Sequence, residues 1–166
     1  LRAICGTETT DWADSFHFFT GYCTPSYNSN GEYLTYVTTE GAFIDLDYSR
    51  TSAPTGNYDN QAAQQVVVAP GMSFTMNTRY SSGANTIVAW ADWNGNMSFE
   101  ANEEVANTYS SNNEQSFTIE VPASVDYGEY RLRVASRWSN YPIQPCGTGY
   151  SWGTTVDFTI VVAEEP

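Results

Sequence analysis

Apolar and polar residues along this chain alternate mostly with a period of two, and helical periodicity is nearly absent. Short apolar or alternating stretches are separated by clusters of Gly, Pro, Asn and Asp, which is the pattern of an all-β protein. It predicts strands over 33–38, 42–48, 64–68, 73–80, 86–93, 116–121, 130–136 and 157–162. In Phe117-Thr118-Ile119-Glu120-Val121 the odd positions are apolar and the even ones polar, one face inward and one outward. Leu132 and Val134 alternate with Arg131 and Arg133 in the same way, so both arginines are expected on the solvated face. Residues 87–91 are apolar throughout, as expected of a central strand covered on both faces. About eight strands at this length make two packed sheets: an all-β, two-sheet antiparallel β-sandwich, jelly-roll or fibronectin-like. Pro70-Gly71, Val121-Pro122 and Tyr127-Gly128 mark turns. Residues 1–21 lack clean alternation and form an N-terminal extension or an extra strand; 22–162 form the sandwich, and 163–166 begin a C-terminal linker.

Composition narrows the chemistry. A chain of 166 residues fits one domain and buries roughly 70% of its unfolded surface. Its 41% hydrophobic and 15% aromatic content excludes a disordered acidic tail. Six basic residues, all Arg, oppose 19 acidic ones, for a net charge of −13. Such a surface repels phosphate backbones and anionic headgroups, so nucleic acid is not expected as a partner, while cations and neutral ligands remain. No apolar run reaches the roughly 18 residues of a spanning helix, and no membrane insertion is expected. His17 is the only histidine, which removes every site needing two. Set between Phe16 and Phe18, it reads as a packed residue with no nucleophile to serve. Neither a phosphate-binding glycine loop nor a nucleophile-elbow serine is present. Cys5, Cys23 and Cys146 lack CxxC spacing; in a chain rich in Thr, Ser, Asn and Tyr they indicate an exported protein with one disulfide and one spare thiol. Spacing leaves Cys23–Cys146 and Cys5–Cys23 both open. The first residues are not a signal peptide, which fits a mature piece of something longer.

Two clusters could carry function. From Asp92 onward, oxygen side chains fall at positions 1, 3, 5, 7, 9 and 12: Asp92, Asn94, Asn96, Ser98, Glu100 and Glu103. This is the spacing of an EF-hand-type calcium loop, where alternate residues point oxygens inward and a late Glu closes the site. Met97 stands where that loop has its turn glycine, and Asn94 and Asn96 are neutral. The rival reading is a polar hairpin turned by Asn94-Gly95. Asn96-Met97-Ser98 also matches a glycosylation acceptor inside the same loop. The second cluster lies between Ser136 and Gly153, where Trp138, Tyr141, Tyr150 and Trp152 are interleaved with Arg137, Asn140 and Gln144. Pro142, Pro145 and two glycines make this a long loop. Flat rings beside amide and guanidinium donors suit a sugar, whose C–H face covers a ring while its hydroxyls meet the donors. Trp138, Tyr141, Arg137, Asn140 and Trp152 are the candidate contacts; the rival reading packs Tyr150 and Trp152 into the end of the sandwich. Asp45 and Asp47 are paired carboxylates of the kind that run glycoside hydrolysis, the only enzyme class left open, but nineteen acids produce such pairs by chance and a solvated strand face accounts for them.

Several segments together resemble the GEVED domain, a module of exported multidomain bacterial proteins. The resemblance runs through Tyr22-Cys23, Gly31-Glu32-Tyr33-Leu34-Thr35-Tyr36-Val37 and Gly56-Asn57-Tyr58-Asp59. Its strongest part is Val88-Ala89-Trp90-Ala91-Asp92-Trp93-Asn94-Gly95-Asn96, followed by Phe99 and Glu103. Val121-Pro122, Gly128, Arg131-Leu132-Arg133-Val134 and Pro145-Cys146-Gly147 continue it, and Gly153-Thr154-Thr155-Val156-Asp157-Phe158 closes it. In that closing motif the family has Gly-Glu-Val-Glu-Asp-Tyr, so Thr154 and Val156 replace both glutamates here. The resemblance implies a sandwich module attached to a secreted hydrolase, protease or adhesin, with no catalytic activity of its own. It also implies a Cys23–Cys146 disulfide, and roles for Asp59 and Asp157 in capping turns or orienting backbone. The expected function is therefore that of a non-catalytic accessory module, secreted or on a bacterial cell surface, binding a neutral polysaccharide with a structural calcium ion. The alternative is a structural or adhesive module that holds protein or cell envelope; either way its partners include the other domains of a larger parent protein.

Overall fold

A computed structural model describes residues 4–5, 8–9, 21–28 and 31–165. Eleven strands follow in chain order: β1 (Ile4–Cys5), β2 (Glu8–Thr9), β3 (Leu34–Glu40), β4 (Asp47–Ser49), β5 (Tyr58–Val68), β6 (Ser73–Tyr80), β7 (Asn85–Ala91), β8 (Glu104–Ser110), β9 (Glu114–Glu120), β10 (Gly128–Trp138) and β11 (Gly153–Val162). Among the described residues β1 and β2 pair only with each other. The other nine make the expected two-sheet sandwich, a five-stranded sheet in the order β5-β11-β10-β7-β8 and a four-stranded sheet β4-β3-β6-β9. All pairings are antiparallel except β5 with β11. His17 lies outside the described residues.

The predicted strands are found, with three differences. Of the 42–48 stretch only Asp47 and Tyr48 belong to a named strand, β4; before them the chain turns, with Asp45 accepting hydrogen bonds from the Thr39 hydroxyl (3.0 Å) and the Ala42 amide (3.2 Å). β5 begins six residues before the predicted 64–68, because residues 58–60 are held parallel to β11 ahead of a bulge. β8 was not predicted: Glu-Val-Ala-Asn-Thr-Tyr-Ser lacks clean alternation, and in this edge strand only Val105 and Ala106 pack, partly buried, against the core.

Between the sheets lies the main core, with Leu34, Val37, Phe74, Met76, Ile119, Leu132, Val134, Val156, Phe158 and Ile160 almost wholly buried. β7 is buried at every position, as the apolar run 87–91 predicts for that part of it, and the polar Asn85 and Thr86 are buried with it. Its second face packs against a further layer. Val88, Trp90, Phe99, Ala135 and Ile143 form a smaller core beneath segments 21–28 and 139–152, with Tyr22 and Tyr150 against it. Backbone hydrogen bonds from Ser26 N to Gly147 O (3.1 Å) and from Tyr150 N to Ser26 O (3.1 Å) join the two segments. The Cys23–Cys146 disulfide staples them, with Cα atoms 5.7 Å apart, within the usual range. Closing a loop of 123 residues stabilises by on the order of 4–5 kcal/mol in the chain-entropy model.

This layer overturns the expectation that Arg133 faces solvent. Arg133 and Asp157 are both fully buried. Asp157 does not cap a turn; it sits opposite Arg133 in the β10–β11 register and accepts Nε and Nη2 at 2.7 Å each. The remaining guanidinium donors reach the Pro145 carbonyl (2.7 Å), the Cys23 carbonyl (2.9 Å) and, more weakly, Cys23 Sγ (3.2 Å). The rings of Phe99 and Tyr58 flank the guanidinium, with centroids 4.8 and 5.8 Å away. Burial and the Asp157 charge push the Tyr58 phenol up to about 12, so it stays protonated and donates to Asp157 at 2.8 Å. Asp59 likewise lies in a strand, accepting from Arg50, Gln61 and Tyr48. Burial opposes its ionisation, but these three donors together lower its pKa.

Removing one partner of a buried ion pair strands the other charge, which costs about 3–5 kcal/mol. Asp157→Ala is expected to lower the unfolding free energy measured in urea by that amount, whereas Asp126→Ala, at an exposed position, leaves it unchanged; equal effects would refute the hub role of Arg133.

Candidate functional site

The two clusters singled out from sequence occupy opposite ends of the β7–β10 pair. Trp138 is in register with Asn85 at the start of β7, while Asp92 follows Ala91 at its end and donates its amide to the Arg131 carbonyl (3.0 Å). Six residues of strand separate the ends, about 20 Å at the usual rise.

At the first end, β10 runs out at Trp138 and β11 begins after Trp152, and the Trp138 amide donates to the Trp152 carbonyl at 2.8 Å. The two indoles meet edge-to-face with centroids 5.6 Å apart; Tyr141 lies 6.3 Å from Trp138. Trp138, Tyr141 and Trp152 are 39%, 47% and 48% exposed, which sets aside the reading of Trp152 as core. Tyr150 does pack inward, against Tyr27, and its hydroxyl accepts the Gln144 amide. Arg137 lies flat between Tyr141 and Tyr150, at 4.9 and 4.4 Å from their centroids, and donates to the Pro142 carbonyl (3.0 Å). It props the loop as well as edging the patch. Asn140 is exposed at the loop's tip.

Backbone conformation at this end is unusual. Ser139 (φ 60°) and Trp152 (φ 54°) both take the left-handed conformation that side chains disfavour, so packing must hold them there. Gly153 explains the next position: a Cβ there would stand 2.1 Å from the Ser136 carbonyl oxygen. Beneath the rings, the buried Tyr80 hydroxyl lies 2.8 Å from the Trp152 carbonyl and 2.9 Å from Glu32 Oε2. Glu32, Trp138 and Trp152 line a pocket of about 290 Å³. Sequence reasoning missed Glu32 and Tyr80: they lie far from the aromatic loop along the chain, and only the sheet topology brings them under it.

At the other end, the 92–103 loop gathers five of its six predicted oxygen residues into one network. The buried Asp92 carboxylate accepts the Tyr22 hydroxyl (2.6 Å) and the amides of Asn96 (3.2 Å) and Met97 (2.9 Å). Glu100 accepts the side-chain amides of Asn94 (2.7 Å) and Asn96 (2.6 Å), bonds that lower its pKa. Glu103, buried and raised in pKa by that burial, accepts the amides of Asn94 (3.3 Å) and Glu100 (3.0 Å). Ser98 is exposed at the tip, its amide donating to Asn96 Oδ1 (2.8 Å). Among the described residues no group of three or more His, Cys, Asp or Glu side chains is placed to hold a metal ion. The carboxylates here are engaged by the loop's own N–H groups. The sixth position nevertheless makes the expected turn without glycine, Met97 taking φ 65°.

Fold and sites together define a sandwich module with a stapled outer layer, an aromatic patch at one end and an acidic–amide loop at the other. The family model described as the GEVED domain matches residues 86–161, the stretch from β7 into β11. No curated protein matches the chain. Among solved structures it is similar to a family 123 glycoside hydrolase from Clostridium perfringens, described for glycolipid glycan hydrolysis. The two share 12% identity and a TM-score of 0.35 over 80% of this chain, which spans 27% of that one.

Relieving the left-handed strain at position 97 outweighs the flexibility that glycine adds to the unfolded chain. Met97→Gly is expected to raise stability by about 0.5–1 kcal/mol in denaturant unfolding. A loss of stability would show that the Met97 side chain, 49% exposed, anchors the loop.

Proposed function

We propose that this chain is a non-catalytic accessory module of a secreted or cell-surface protein, and that it holds a neutral polysaccharide on the Trp138–Tyr141–Trp152 patch. The observation that carries the reading is the exposure of three large rings at a rigid end of the sandwich. Exposed aromatic surface costs stability that burial would recover, and left-handed backbone at Ser139 and Trp152 adds to that cost. Surface maintained at such a cost is a binding-site signal. Rings of this size cover the C–H face of a pyranose, and Asn140, exposed on the same loop, offers an amide for its hydroxyls. The match of residues 86–161 to the GEVED family model supports the accessory role, and the disulfide supports an oxidising compartment. Among the described residues no helix is long and apolar enough to cross a membrane.

Retention on a panel of insoluble polysaccharides tests this directly. Trp138→Ala should abolish retention on the glycan that the unaltered protein binds, without shifting the melting temperature, because the ring is not part of either core. Retention surviving the substitution would move the contact elsewhere; no retention on any glycan would favour a structural or adhesive module.

A structural calcium ion in the 92–103 loop completes the proposal, and its support is the loop's oxygen content: Asp92, Asn94, Asn96, Ser98, Glu100 and Glu103. Ion binding would require Glu100 to give up its Asn94 and Asn96 amides. Millimolar calcium should raise the melting temperature of chelator-stripped protein by several degrees, as mass action demands of any ligand of the folded state. An unchanged transition would leave the loop as a self-satisfied turn. Because the loop and the patch are about 20 Å apart, chelation should leave glycan retention intact below the melting temperature.

A further inference from the structure

Glu32 gives the aromatic pocket a charge that a purely neutral ligand does not use. It precedes β3, and its backbone carbonyl accepts the Asn57 amide (3.2 Å) and the Thr154 hydroxyl (3.3 Å), so the residue is fixed at both ends. Its carboxylate is held on one oxygen by the buried Tyr80 hydroxyl. It lines the same pocket as the two indoles. Aromatic faces attract cations through their quadrupoles, and a carboxylate beside them adds direct charge pairing. A net charge of −13 draws cations toward the surface and repels uronic acids and other acidic sugars.

We propose that Glu32 is the specificity-determining residue of this pocket, and that the preferred ligand is a sugar bearing a protonated amine, its ring on Trp138 and its ammonium group against the Glu32 carboxylate. This rests on the reading of the patch as a glycan site and replaces the neutral glycan proposed there with a cationic one. An N-acetylated sugar keeps the stacking but loses the charge; a carboxylated one meets repulsion.

The test is a titration, followed by tryptophan fluorescence, of the whole chain with glucosamine hexamer, N-acetylglucosamine hexamer, cellohexaose and tetramethylammonium. Glucosamine hexamer is expected to bind on the order of tenfold tighter than the other two oligosaccharides, the scale of one charge-assisted contact. Glu32→Gln should erase that preference while preserving N-acetylglucosamine binding and the melting temperature. Non-specific attraction of a cationic oligomer to an acidic protein is controlled by Glu40→Gln. Glu40 lies on the four-stranded sheet's outer face, in a separate groove of about 590 Å³, and accepts from Asn77 (3.1 Å). A preference lost equally in Glu40→Gln, or retained in Glu32→Gln, overturns the proposal. Equal binding of all three oligosaccharides overturns it while leaving the glycan reading standing. Tetramethylammonium bound in a Glu32-dependent way, with no oligosaccharide bound, overturns the amino-sugar proposal and the glycan reading together and makes the pocket a site for small organic cations.

Discussion

The layer that covers the outer face of the larger sheet closes over one buried ion pair. Taking a guanidinium and a carboxylate out of water costs several kcal/mol apiece, and only good geometry with every remaining donor satisfied repays it. Arg133 meets that condition by spreading its five N–H groups over Asp157, Pro145 and Cys23. The consequence is architectural. The acceptors beyond Asp157 are backbone atoms of the two segments that cover the outer face of the larger sheet, so the charge can be buried only when those segments are in place. The disulfide joins the same two segments a few ångströms away. One constraint acts on the unfolded chain and the other on the folded one, and both fix residues 22–28 against 139–152.

That covering layer places the aromatic patch. Its second segment begins just after Trp138 and ends at Trp152, so what holds the layer also holds the rings. Ser139 and Trp152 keep left-handed conformations at its two ends, anchored by the Ser139 amide to Ala84 and the Trp138 amide to Trp152. A loop fixed at both ends and pinned through its middle loses little entropy on binding, which is the condition for flat, weakly interacting surfaces such as sugars to be held at all.

The sandwich was legible because its strands obey the period-two rule, and the strong motif around Asp92 was legible because its polar residues are contiguous. What escaped had a common cause. Arg133 sits on a strand whose alternation is formally perfect, and alternation reports two different faces without saying that the second is solvated. A third layer, drawn from irregular segments with no periodicity, covers it. β8 escaped because an edge strand needs no apolar face. Glu32 and Tyr80 join the patch only because β3 starts and β6 ends where β10 ends and β11 starts, a fact of topology with no local signature.

The altered closing motif follows from the same geometry. Residues 154, 156, 158 and 160 of β11 are wholly buried, and Val156, Phe158 and Ile160 belong to the core between the sheets. Glutamate at 154 or 156 would therefore bring a carboxylate into that interior, where it needs a partner to remain ionised. Thr154 instead places a hydroxyl that donates to the Glu32 carbonyl, and Val156 adds apolar volume. The two positions that keep the family residue are the two whose replacement the packing forbids. Gly153 leaves no space for a Cβ beside Ser136, and Asp157 neutralises Arg133. Where this stretch departs from the motif it resembles, neutral contacts fill the interior, and where it agrees stand the glycine and the charge on which the covering layer depends.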